Sequence, residues 1–358
     1  MTTSGLNKYT QGLVVGKFCP LHLGHELLIQ RAQEACASLL VVSYTKPEFP
    51  GYEPARREGW LQAQFPQAAV LVLDDERLAQ LCSARGLAPR LLPHNDEDGD
   101  VHRHFMGWLC WTVLGMPVDA VFTSEDYGPG FARVLGEHYA LGEVAHVSVD
   151  QARNIVPVSG TLVRQDPHGH SAFLSPFVYA SFVQRVCLLG GESSGKTTLA
   201  AALAQYFDTR WVAEYGRELW ESQDGELSYD DLLKIGREQV RREAAAASEA
   251  RRWLFCDTSP LTTYFYCIEM FGKAEAELAG LADAASDSYA LVLLCAPDFP
   301  FIQDGTRRDD GFRLRQHGWY QAELERRGIA YVEVKGTVED RVGRVAQLLM
   351  TFRRQTRF

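Results

Sequence analysis

Short apolar runs separated by amphipathic stretches recur along the chain. Leu13-Val14-Val15, Leu39–Ser43, Val70–Leu73, Ala120–Phe122 and Ala145–Val149 are such runs, most of them closed by Gly, Ser, Asp or Thr. Continuous apolar runs of that length read as strands buried on both faces, the pattern of a parallel sheet. Between the first two, Leu27, Leu28, Ala32, Ala35 and Leu39 recur at helix spacing. Arg56-Arg57-Glu58 opens a second helix containing Trp60 and Leu61, and Phe105–Trp111 reads as an aromatic helix. A second series of strands follows at Arg185–Leu189, Arg210–Ala213, Trp253–Cys256, Ala290–Cys295 and Tyr331–Val334. An Ala/Leu-rich helix follows the first of these. A long helix runs from Leu232 towards Trp253, with Glu and Arg on a face expected to be solvated. Val338–Phe352 is the closing helix, and the tail from Arg353 to Phe358 is expected to fray. Strands alternating with helices predict α/β units with parallel sheets. The polar stretch Gln165–Ser171, broken by Pro167 and Gly169, separates the two series. It predicts one domain over 1–170 and a second over 171–358.

Composition adds limits. At 358 residues, 46% hydrophobic and 23% charged, the chain is that of a soluble globular protein with room for two domains. Its net charge of −10 leaves no general basic face for nucleic acid. Anionic ligands must therefore be held by local clusters of Arg, Lys, His and backbone N–H. Eight cysteines are scattered through apolar segments without a CxxC pair, which argues for buried thiols in a reducing cytoplasm rather than a zinc site. No signal peptide and no membrane-spanning run is visible. Self-association is left open.

The first candidate chemistry follows the first strand, in Gly16-Lys17-Phe18-Cys19-Pro20-Leu21-His22-Leu23-Gly24-His25. His22 and His25 stand where a strand-turn enters a helix, whose free N–H groups suit phosphate. Gly24 between them lets backbone approach a ligand closely. Two imidazoles there can donate to a phosphate whose charge changes in a transition state. Far along the same half, Ser159 and Thr161 can cap a helix and hold phosphate, with Arg164 one turn on. Tyr44-Thr45-Lys46 and Thr123-Ser124-Glu125-Asp126-Tyr127-Gly128 lie after strands, where open α/β sheets bind ligands. Arg56 and Arg57 read either as a solvated pair or as phosphate contacts. Trp108 and Trp111 read either as core or as a stacking surface for a flat heterocycle.

The pair His22-x-Gly24-His25 and Ser159-x-Thr161-x-x-Arg164 resembles the HxGH and SxTxxR motifs of the nucleotidyltransferase superfamily, a Rossmann-like fold. The resemblance implies that Gly16, Lys17, Phe18, His22, His25, Asp150, Arg153, Ser159, Thr161 and Arg164 hold ATP during attack on its α-phosphate. Ser124–Gly128, with Asp150 and Arg153, further resembles the nicotinamide mononucleotide (NMN) adenylyltransferases. Lys46, Trp108, Ser124, Glu125, Asp126 and Tyr127 are then expected on the NMN side.

In the second half, Gly190-Gly191-Glu192-Ser193-Ser194-Gly195-Lys196-Thr197-Thr198 stands between a buried strand and a helix, the context of a P-loop. Its backbone wraps phosphates, Lys196 reaches the β/γ oxygens, and Thr197 holds Mg²⁺. Asp257-Thr258 closes a strand in a Walker-B-like position. Glu214, Tyr215 and Arg217 end another. Asp304-Gly305-Thr306-Arg307-Arg308 is loop-like, with Arg313 and Arg315 nearby, as in an Arg-bearing lid.

The whole chain resembles the bifunctional NMN adenylyltransferase/ribosylnicotinamide kinase (NadR-type) family. The resemblance implies two ATP- and Mg²⁺-dependent reactions, nicotinamide riboside to NMN and NMN to NAD. Lys196, Thr197 and Asp257 would serve phosphoryl transfer, with Thr197 and Asp257 at the metal. Glu214, Tyr215, Arg217, Asp257 and Asp304 would hold the riboside, and Arg307 would hold ATP. Two carboxylates, Asp257 and Glu214, compete for the role of base, with Asp257 placed at the 5′-hydroxyl or the metal. A riboflavin kinase/FMN adenylyltransferase pairs the same chemistries, but its kinase half is a barrel without a P-loop. A NAD-sensing regulator with weak catalysis is the other alternative. About a dozen residues precede the first strand, too few for the helix-turn-helix domain that some members carry, so no specific DNA binding is expected.

Overall fold

Every strand read from the sequence forms, and every pairing between these strands is parallel. The computed structural model describes residues 8–139, 142–301 and 309–355. The chain divides into two units between Val178 and Tyr179, a little later than the 170/171 boundary read from the sequence. Residues 171–178 stay with the first unit because Leu174 and Val178 are buried and Gln64 donates to Ser175 at 2.9 Å.

In the first unit, β1 (Tyr9–Gly16), β2 (Cys36–Tyr44), β3 (Ala69–Leu73), β4 (Ala120–Thr123) and β5 (Ala145–Ser148) pair in the order β3-β2-β1-β4-β5. The order reverses beside β1, so a crevice opens at the carboxyl ends of β1 and β4. Leu13, Leu40, Val42 and Val121 pack on one face with Phe105, Trp108 and Leu135. That packing fixes the sheet and leaves the segments beyond Gly16 and Thr123 at its upper rim.

The second unit holds β6 (Gln184–Leu189), β7 (Arg210–Val212), β8 (Trp253–Asp257), β9 (Tyr289–Cys295) and β10 (Tyr331–Val334), ordered β10-β9-β6-β8-β7. Alternate residues of β6 enter different cores. Val186 and Leu188 meet Leu199, Leu203 and Leu349, whereas Cys187 and Leu189 meet Leu261, Tyr320 and Leu324. A strand covered on both sides needs the unbroken apolar run seen in the sequence.

Pro260–Phe271 is one of several helices not read from the sequence, with Asp75–Ala84, Gly128–Tyr139, Tyr215–Ser222 and Ala276–Ser288. Pro260–Phe271 carried a signal, since Ser259 caps it, Pro260 occupies its first turn and Gly272 ends it at φ +68°. The long helix is Tyr229–Ala247, and its polar face is only partly solvated. Gln239 and Glu243 are buried, and Glu243 accepts the Tyr289 hydroxyl at 3.0 and 3.1 Å. Burial pushes its carboxyl up to about 7. All eight cysteines are free and buried. No helix among the described residues is long and apolar enough to cross a membrane.

Candidate active sites

His22 and His25 lock each other. His22 is the N-cap of the helix Leu23–Ala35, and its Nδ1 accepts from the His25 backbone N–H at 3.3 Å. His25 Nδ1 in turn accepts from the His22 N–H at 3.4 Å. The arrangement is a capping box built from two imidazoles, and the rings stack 3.6 Å apart at 17°. An Nδ1 that accepts carries no proton, so the hydrogen-bond network assigns both protons to Nε2. Burial, with Arg153 and Arg164 nearby, holds His22 down to about 4 and His25 well below its ordinary value. Both rings are therefore neutral donors at neutral pH. Gly24 makes room for this pair, because a Cβ there would lie 3.1 Å from His22 Cε1. Phe18 is fully buried with φ +49°, and its ring meets His25 edge-on at 5.0 Å. Gly16 leaves room for that ring, since a Cβ would come within 2.9 Å of it.

The second motif joins the first. Ser159 caps the helix Gly160–Gln165, and Arg164 donates to the Cys19 carbonyl at 2.6 Å and to Thr161 Oγ1 at 3.0 Å. A Cβ on Gly160 would stand 3.9 Å from His22 Nε2, so this helix borders the histidines. Arg164 also lies 4.4 Å over the Phe49 ring. Burial and the Arg164 charge lower the Lys17 ammonium.

Other expected residues have partners within the first unit. The Asp150 carboxylate accepts from the backbone N–H groups of Asn154, Ile155 and Val156, so it closes its own loop. Arg153, on that loop, reaches Glu125 at 3.3 Å. Thr123 shapes the Ser124–Tyr127 turn by donating to the Glu125 carbonyl at 3.1 Å. Ser124 is half-buried there, whereas Asp126 and Tyr127 are exposed. Lys46 is engaged with Asp75 at 2.7 Å. Trp108 lies in the core, with the Arg90 guanidinium 4.4 Å over its ring.

The P-loop leaves the central strand β6. Gly190 and Gly195 adopt φ +146° and +79°, and Cβ atoms there would meet the Cys295 carbonyl and the Phe299 ring. Lys196 curls back to the carbonyls of Gly190 and Gly191 at 2.9 and 3.1 Å. Ser193 has φ +55°, and the Ser194 hydroxyl is buried without a partner among the described residues. Thr197 and Thr198 open the helix Lys196–Tyr206. Thr197 Oγ1 donates to Asp257 Oδ2 at 2.5 Å, while Asp257 Oδ1 is buried and unpartnered among the described residues. Asp304 and Arg307 lie outside the described residues.

Beside Lys196 opens a cavity of about 370 Å³, lined among others by Glu192, Glu214, Arg217, Trp220, Thr258, Thr263, Tyr266 and Gln316. Glu214 faces it; Asp257 and Tyr215 do not line it. Tyr215 instead lies under the Arg242 guanidinium at 4.3 Å, and its backbone N–H is held by Gln239. Burial raises the Glu214 carboxyl, and the Asp257 charge adds to the rise. Burial raises Asp257 too, opposed by Lys196 and by the Thr197 hydroxyl. Thr258 has φ +84°, a backbone conformation that a β-branched residue adopts only under constraint and one that gathers at functional sites.

The chain is 30% identical over 315 residues to the trifunctional NAD biosynthesis/regulator protein NadR of Escherichia coli K12, spanning 84% of this chain and 72% of that protein. The NadR of Salmonella typhimurium LT2 is 30% identical over 311 residues, 83% of this chain and 71% of the relative. The chain belongs to the NadR family. Within it, residues 185–341 match the family model described as an AAA domain. Two solved NadR structures, one in complex with NR and one with NAD and AMP-PNP, share the fold. Each has a TM-score of 0.64 and 20% identity; coverage is 93% and 94% of this chain, and 92% and 93% of theirs.

Two arginines of this NadR-family chain are buried, which the sequence does not mark. Arg57 is neither solvated nor a phosphate contact. It is fully buried, gripping Glu48 at 2.8 and 2.9 Å, Ser43 Oγ at 2.7 Å and the Lys17 carbonyl at 3.4 Å. It thereby braces the turn that delivers His22. Arg57→Met takes the cation from the Glu48 carboxylate, which keeps the Thr45 hydroxyl, and empties a buried site; it should cost the first unit about 3 kcal/mol, read as a lowered thermal midpoint. Arg57→Lys restores only part, because lysine lacks the fork. In the second unit Arg341 is buried, bonding the carbonyls of Ser194 and Ala296 at 2.7 and 3.0 Å and the Asp298 carboxylate. It ties the P-loop to the end of β9. Lone arginines on amphipathic helices carry no sequence mark of burial.

Proposed function

We propose that the first unit transfers AMP from ATP to NMN, giving NAD and pyrophosphate, and that the second phosphorylates nicotinamide riboside to NMN. The chain is then an ATP-using enzyme of NAD biosynthesis, acting in the cytoplasm, where its eight buried thiols stay reduced. The observation that carries the reading is the pairing, in one chain, of the interlocked imidazoles with a P-loop that opens onto an acceptor-sized cavity.

In the first reaction an NMN phosphate oxygen attacks the α-phosphorus of ATP, and the bond to the bridging β-oxygen breaks. The Nε2–H groups of His22 and His25 donate to the phosphate oxygens as charge develops. Arg164 and the helix start at Ser159 hold the remaining phosphates. In the second, the riboside 5′-oxygen attacks the γ-phosphorus and ADP leaves. Lys196 and the loop N–H groups orient the phosphates, and the cavity positions the riboside. A hard cation fits Thr197 Oγ1 and Asp257, whose second oxygen is desolvated and unpaired among the described residues. Mg²⁺ bound there would neutralise charge on the β- and γ-oxygens. Glu214, facing the cavity with a raised carboxyl, is placed to accept the 5′-hydroxyl proton.

Incubation with nicotinamide riboside, ATP and Mg²⁺, with products separated by chromatography, should yield NAD, ADP and pyrophosphate. NMN without NAD would remove the first reaction, and no NMN would remove the second. Lys196→Ala should stop conversion of riboside to NMN while added NMN is still converted to NAD. Loss of both in a folded variant would contradict independent sites.

A further inference from the structure

Glu192 is an acid on a loop whose work is to hold phosphate. A carboxylate in that position repels the ligand unless its side chain faces elsewhere. The structure turns it away. The Glu192 backbone N–H donates to Gln316 Oε1 at 2.9 Å, and Glu192 Oε1 accepts from the Tyr266 hydroxyl at 3.0 Å. Both partners line the acceptor cavity, as Glu192 does. The side chain is thus held in the cavity wall by a tyrosine of the helix Pro260–Phe271.

The cavity already contains a second acid, Glu214, whose carboxyl the Glu192 charge helps to push up. Two cations line it as well: Lys196, which bonds the Gly190 and Gly191 carbonyls of the phosphate loop, and Arg217, whose charge opposes the rise of the Glu214 and Asp257 carboxyls. A cavity with two acids beside a triphosphate site suits an acceptor that brings positive charge. Nicotinamide riboside does so, because its N-glycosylated ring is a pyridinium, whereas ordinary nucleosides are neutral. Resting on the kinase reading above, we propose that Glu192 selects the acceptor by charge, its carboxylate facing the pyridinium and favouring a cationic nucleoside over a neutral one of the same shape.

The test compares nicotinamide riboside with its 1,4-dihydro form, which has an uncharged ring, as acceptors in the ATP-dependent reaction. The wild-type protein should prefer the cation. In Glu192→Gln, which keeps an oxygen for Tyr266, the ratio of kcat/KM for cation over neutral form should fall by about tenfold or more. Glu192→Asp should restore part of it. Phosphorylation of both ribosides with an unchanged ratio in Glu192→Gln overturns the role of Glu192 and leaves the kinase reading intact. Phosphorylation of neither by the wild-type protein overturns both. Calorimetric binding to the wild-type protein is independent of any variant's folding. Affinity for the cationic riboside should weaken with added salt more than affinity for the dihydro form; equal salt dependence also overturns the proposal.

Discussion

His25→Ala lowers adenylyl transfer by about two to three decades and leaves riboside phosphorylation near its wild-type rate. The size follows from losing one donor aimed at a phosphate in the transition state. The selectivity follows from the separate phosphate sites of the two units. Separate assays of NMN to NAD and of riboside to NMN check it, and near-normal NAD synthesis would take His25 out of the mechanism. The same substitution removes half of the imidazole capping box, so the melting temperature should fall slightly. The pH profile offers a second check. His22 stays neutral down to about 4, so adenylyl transfer should show no histidine titration near pH 6.5. Stability has a definite sign here. Between about pH 6.5 and 4 the unfolded chain binds more protons at His22 than the folded one. This contribution is therefore full above pH 6.5 and is lost as the pH falls towards 4, where acid unfolding of the first unit should set in.

Glu214→Gln lowers the kinase kcat by about a hundredfold or more, in the range of general-base effects. Asp257→Asn acts differently: the same reaction slows, and the Mg²⁺ concentration for half-maximal rate rises. The division rests on where the two carboxylates point. Glu214 lines the cavity beside Lys196, whereas Asp257 is bonded to Thr197. This departs from the sequence reading, which put Asp257 at the hydroxyl or metal and Glu214 in the pocket wall. Magnesium titrations of both variants separate the roles. A Glu214→Gln enzyme with an unchanged kcat and a raised riboside KM would return the base to Asp257.

The strands were legible because buried parallel strands have nowhere to put polar residues. Val41-Val42 and Leu293-Leu294 can be nothing else between their turn signals. The P-loop and the two histidines were legible because the chemistry demands fixed residues at fixed spacing. Arg57, Gln239 and Glu243 were not. Each is a polar residue on a helix, and burial depends on a partner distant in sequence: Glu48 and Ser43 for the first, Tyr289 for the last. The loop-closing work of Asp150 was hidden for a related reason. Its carboxylate serves neighbouring backbone N–H groups, a use that leaves the same residue type in the same loop as a ligand contact would. Lys46 and Asp75 show the limit in another form, since a cation just past β2 pairs with an acid that opens the helix after β3, Asp75–Ala84, a contact no short-range pattern marks.

Eight thiols sealed inside the two units make the natural protein nearly silent to maleimides. A single cysteine placed at an exposed apolar position, Leu91 in the first unit or Met350 in the second, is then the one site that reacts. Spectroscopic labels can be introduced at a chosen position without first deleting the native cysteines, whose removal would open cavities beneath both sheets.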